Sequence, residues 1–136
     1  MFQTIKKDFY ELVKGLGYNV SDNGTYRDQF PWLMIKTAGA SSVKALDVRI
    51  DSYSIALDIF STYNGEQEIL NIVEHINVEL PNMMTQFPQI QFVELSTLKI
   101  LNDKETGPVR KHGVAVFRFI LSGHYQEVSD DEASNE

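Results

Sequence analysis

Phe2, Ile5, Phe9, Leu12, Val13 and Leu16 recur at helical spacing, with Lys6, Lys7, Asp8, Glu11 and Lys14 between them. The pattern predicts an amphipathic first helix that stops near Gly15 or Gly17, where glycine supplies a left-handed closure. Ser21-Asp22-Asn23-Gly24 reads as a tight turn. Phe30 to Lys36 (FPWLMIK) is short, apolar and aromatic, and reads as a strand with Pro31 at its first residues or on an edge. Thr37 to Ser42 (TAGASS) reads as a flexible loop. From Val43 to Ser61, the clearest alternation is Tyr53, Ile55, Leu57 and Ile59 against Ser52, Ser54 and Asp58, which predicts a half-buried strand. Val48 and Ile50 are out of phase with that run, so a bend, bulge or turn is expected near Asp51 and Ser52.

Asn64-Gly65 marks the exit. Ile69, Ile72, Val73, Ile76 and Leu80 then define a second amphipathic helix that opens with Glu66 and Glu68 and ends before Pro81. Ile90 to Leu101 reads as a third strand. Gly113 to Ser122 (GVAVFRFILS) reads as a fourth, apolar on both faces and therefore central, after a polar connection from Asn102 to Lys111. These elements fit an α+β fold: a mainly antiparallel sheet of four or slightly more strands with two amphipathic helices packed on it. Residues 1–125 form a single domain in this reading, and 126–136 form an acidic tail expected to be disordered.

Composition narrows the chemistry. At 136 residues, with 43% hydrophobic positions, the chain is long enough to bury its own core. The absence of cysteine removes disulfide frameworks, thiol catalysis and cysteine-ligated metal centres. The net charge of −7 is concentrated at the end: Glu127, Asp130, Asp131, Glu132 and Glu136 leave 14 acids against 12 bases in the body, a charge of −2. That body lacks the basic footprint of a dedicated DNA-binding domain. The first ten residues have no apolar core for a signal peptide, and no window has the length of a membrane span.

Candidate catalytic groups are sparse. His75, His112 and His124 lie in no metal-ligand spacing and read as surface or satisfied histidines, the last two as polar ends of the final strand. Ser41-Ser42 lacks a nucleophile elbow. Asp47, Asp51 and Asp58 read as a solvated strand face, and Gly15 and Gly17 follow a helix where a phosphate loop would precede one. Neither cofactor nor metal is expected. Interaction surfaces have better support. Trp32 and Tyr63, with Tyr26 and Phe30, are aromatic anchors weighed against plain core. Val114, Val116, Arg118 and Ile120 form one face of the last strand, opposite Ala115, Phe117, Phe119 and Leu121. Two helices cannot easily cover both faces of a sheet, so burial against other copies follows. Lys104, Arg110 and Lys111 make a basic turn able to meet an acidic partner or a phosphate backbone.

With its N-terminal helix, the strand FPWLMIK, the strand, turn and helix DIFSTYNGEQEILNIVEHI, and the closing strand HGVAVFRFIL, the chain resembles the tail terminator, or tail completion, proteins of long-tailed bacteriophages up to about Tyr125. The resemblance implies a structural virion protein rather than an enzyme, one that forms a homo-oligomeric ring, commonly a hexamer. The ring would cap the head-proximal end of the tail tube, in the neck of the virion, and join it to the head-tail connector protein. DNA would pass through the lumen without specific binding, and assembly would occur in the host cytoplasm without a membrane. By the same analogy, Thr37 to Ser42 and Asn102 to Lys111 are candidates for contacts with a neighbour or the tube. Two alternatives stay open: another neck or head-completion protein, told apart by binding the connector instead of the tube, and a small α+β enzyme or ligand-binding domain built around one of the histidines.

Overall fold

The computed structural model describes residues 1–21, 29–103 and 107–124, and only the backbone of the last two. Their order is α1 (Phe2–Gly15), β1 (Asn19–Ser21), β2 (Trp32–Ala45), β3 (Val48–Ser61), α2 (Gln67–Glu79), α3 (Pro81–Gln86), β4 (Ile90–Asn102) and β5 (Lys111–His124). The strands form one mixed five-stranded sheet in the order β1-β2-β3-β5-β4. All pairings are antiparallel except β1 with β2.

The helices lie on one face of the sheet. α1 buries Ile5, Phe9 and Val13, and Phe9 meets Phe117 and Phe119 with ring centroids 5.4 and 6.2 Å apart. α2 buries Ile69, Ile72, Val73 and Ile76. Its Ile69 lies so close over Gly113 that a β-carbon there would come within 2.6 Å of the Ile69 Cγ2. The sheet contributes Leu33, Ile35, Tyr53, Ile55, Leu57, Ile59, Ala115, Phe117, Phe119 and Leu121 to this core, the inward half of the predicted alternation. α1 closes as expected, with Leu16 as C-cap and Gly17 at φ 99°. The central place of the last strand also holds, since β5 pairs on both sides.

Two readings are corrected and two are filled in. The sheet has five strands, because the short β1 follows α1 and pairs parallel with Trp32, Leu33 and Met34. Ser21 ends β1, and the rest of the Ser21–Gly24 turn lies outside the described residues, as do Tyr26, Lys104 and the acidic tail. TAGASS is strand, not loop: β2 continues through it, with one register shift between Thr37 and Gly39. No bend occurs near Asp51. The chain turns at Leu46 and Asp47, between the paired Ala45 and Val48; β3 then pairs with β5 without a shift, and its one shift against β2 lies opposite Ser54 and Ile55. Val48 and Ile50 differ in phase from Tyr53 because they point to the sheet's other face. Finally, Pro81 ends α2 and also opens the short α3, at the helix position where its missing N–H costs nothing.

The β2–β3 hairpin is unusually long. Each strand has 14 residues, about 45 Å at the usual rise per residue. All residues of 36–50 are exposed, so the distal half is an arm that projects beyond the helical layer.

Candidate functional site

The face of the sheet opposite the helices carries no helix among the described residues, and strand register sets out its side chains in rows. At one end, Leu101, His112, Phe60 and Trp32 lie side by side across β4, β5, β3 and β2. Trp32 stacks on Phe60 at 4.8 Å, and Phe60 on His112 at 4.5 Å. The next row is Lys99, Val114, Asp58 and Met34, and the one after it Thr97, Val116, Ala56 and Lys36. Arg118 and Ile120 follow, beside Glu94 and Phe92. Val114, Val116 and Ile120 are half-buried, and Phe92 and Leu101 are exposed.

Asp58 is on the predicted face but is not solvated. Only 3% of its surface is exposed, a correction to the sequence reading. Met34, Lys36, Val114 and His112 flank it in the register and shield it. His112 donates from Nε2 to Asp58 Oδ1 at 3.0 Å, and the Lys36 ammonium lies 3.3 Å from Oδ2. Burial alone pushes the Asp58 carboxyl up, but the hydrogen bond from His112 and the charge of Lys36 outweigh it and hold the group below the usual carboxylate range. His112, read as a polar strand end, is therefore a structural partner of a buried charge. Arg118 pairs with Glu94 at 3.4 Å. Positive and negative groups thus alternate on this face, and no basic stripe forms among the described residues.

The remaining sequence-selected residues do not converge on one place. Trp32 is buried, yet it belongs to the open face and not to the helix-side core. Arg110 is exposed and turns back to the Gly107 carbonyl at 3.0 Å, while Lys111 donates to Asn102. Tyr63, 61% exposed, lines a groove of about 490 Å³ with Tyr18, Pro31, Gln67, Glu68, Asn71 and Ile72. Beside it, Tyr18 and His75 share a 2.8 Å hydrogen bond, and burial pushes the Tyr18 hydroxyl up. His75 sits on a solvent-facing side of α2. The side chain of His124 lies outside the described residues.

Sequence reasoning missed Phe60, Met34, Phe92 and Leu101 on the open face. Phe60 was accessible from parity, since it alternates with Ile59. The other three require the register. Among the described residues, no group of three or more His, Asp or Glu is placed to hold a metal ion, and no helix is long and apolar enough to cross a membrane.

No curated protein matches the chain. The family model described as tail completion protein gp17 matches residues 10–122, a span that starts within α1, ends within β5 and holds most of the helix-side core and the open face. The chain therefore belongs to the tail completion protein gp17 family of bacteriophages.

Proposed function

We propose that this protein is a ring-forming tail terminator. Copies of the chain close into a homo-oligomer at the head-proximal end of the tail tube, end its growth, and offer the opposite side to the head-tail connector. The observation that carries the reading is the uncovered sheet face. On it Phe92 and Leu101 are exposed and Phe60, Val114, Val116 and Ile120 are half-buried beside Trp32, with no helix over them among the described residues, and a second copy is the cover that suits them. Arg118 on this face, Tyr63 by the groove, and Lys104, Arg110 and Lys111 in the β4–β5 connection are the polar candidates for contacts with a neighbour or the tube.

The charge pattern suits a channel through which DNA passes without being held. The open-face charges form the sets Lys36–Asp58–His112 and Glu94–Arg118, with Lys99 outside them, so among the described residues no row of free cations is available to grip phosphates. The role is mechanical and requires no catalysis. It places the protein in the neck of the virion, and in the host cytoplasm during assembly. The test is addition of the purified protein to tail tubes that lack a cap. The account expects it at one end of each tube, with growth there stopped and connector binding gained. Uniform decoration of the tube, or binding to connector alone, would overturn it.

A further inference from the structure

The tip of the hairpin arm is built from residues that folding alone does not favour. Leu46 is 98% exposed and sits at φ 56°, in the left-handed region where a bulky side chain is disfavoured and glycine, asparagine or aspartate is the usual choice. Val43, Val48 and Ile50 next to it are also exposed. A strained conformation with an apolar side chain in water points to a contact outside the chain.

The groove lined by Tyr18, Pro31, Tyr63, Asn71 and Ile72 supplies a receptor of matching chemistry. It lies where β2 begins and β3 ends, at the opposite end of the same hairpin. With roughly 45 Å of strand between them, no chain can place its tip in its own groove. Charge does not oppose the fit: Lys44 and Arg49, cross-strand partners just behind the tip, are balanced by Asp47 and Asp51, with Arg49 3.1 Å from Asp51, and Glu66 and Glu68 stand at the start of α2 beside the groove.

We propose that Leu46 at the arm tip inserts into the Tyr18–Tyr63–Ile72 groove of a second copy of this chain. Donor and acceptor are different surfaces at opposite ends of one molecule, so the contact is head-to-tail, the kind that closes into a ring when its rotation permits. The inference rests on the ring reading above and gives it a specific joint.

The chain has no cysteine of its own, which makes cross-linking unambiguous. Full-length Leu46→Cys and Asn71→Cys proteins are mixed and oxidised. A disulfide-linked dimer of one of each is expected on a non-reducing gel, and none from Leu46→Cys mixed with Ser96→Cys on β4. In parallel, Leu46→Gly relieves the turn and removes the knob. At a dilution where neither protein assembles it should melt at or above the wild-type temperature, yet it should associate about 30-fold or more weakly when followed by light scattering. Leu46→Met should restore association. If wild type forms rings while Leu46→Gly assembles equally well, or if the cysteine pair does not link, the tip-in-groove contact is wrong and the ring reading stands. If wild type stays monomeric both in solution and on tail tubes, the ring reading fails and takes this inference with it.

Discussion

Replacing Gly113 by alanine probes the seat of α2 on the sheet, because geometry and propensity predict opposite signs. Gly113 lies on the helix side of β5, between Ile59 and Ile100. An added β-carbon would be 2.6 Å from the Ile69 Cγ2 and 3.3 Å from its Cδ1, where ordinary contact begins at 3.4 Å. Ile69 would have to retreat by roughly 1 Å. It is fully buried and β-branched on a helix, so χ1 rotation offers no escape. Overpacking of this kind costs about 1–3 kcal/mol. Without the clash, glycine to alanine in a strand would instead gain about 0.4–1 kcal/mol from the unfolded state. At about 3–5 °C per kcal/mol for a domain of this size, the expected loss is roughly 3–15 °C in melting temperature. Circular dichroism at fixed protomer concentration would read it, since assembly makes the midpoint concentration-dependent. In an Ile69→Ala background the same substitution should cost nothing or stabilise, because the β-carbon then enters a cavity. A Gly113→Ala protein as stable as wild type in both backgrounds would refute this packing.

Three further outcomes follow from the same framework. The Asp58 carboxyl is held below its ordinary range in the folded chain, so its pairing stabilises fully above the unfolded value of about 4 and is lost as pH falls through the lower folded one. The acid limb of a stability-against-pH curve should accordingly be shallower for Asp58→Asn, and an unchanged limb would argue against the His112–Lys36 pairing. Phe9→Ala removes the ring that packs on Phe117 and Phe119 and should cost about 3–5 kcal/mol by urea unfolding, whereas a loss under 1 kcal/mol would mean α1 is not seated there. Arg118→Glu breaks an exposed pair worth at most about 1 kcal/mol to the protomer, so melting should barely move while assembly weakens; intact assembly would remove Arg118 from the interface.

The parts of the fold readable in the sequence are those where one face is buried and the other wet. α1, α2 and the run from Tyr53 to Ile59 show their periods because packing on a core demands them. The arm could not be read in that way. With residues 36–50 exposed on both faces, nothing selects an alternation, and small residues such as those of TAGASS look like loop. The phase change at Val48 and Ile50 was a real signal with a different cause: both residues lie on the face opposite Tyr53, in a stretch where neither face is buried. β1 is too short to carry a pattern, and its parallel partner fixes it more than its own residues do. The Asp58–His112 pair joins positions 54 residues apart and exists only because β3 and β5 align Asp58 with Val114 and Phe60 with His112. The apolar outer face of β5 was visible from the start, but which residues would share it depended on strand order.

The central claim is that this chain is built to complete itself with copies of itself. The direct measurement is the mass of the full-length protein in solution, by size-exclusion chromatography with light scattering over a wide dilution range, with negative-stain images of the same peak. The account predicts one closed species of constant subunit number, seen as rings. A protein that remains a monomer at every concentration, and still does so when mixed with uncapped tail tubes, would contradict it.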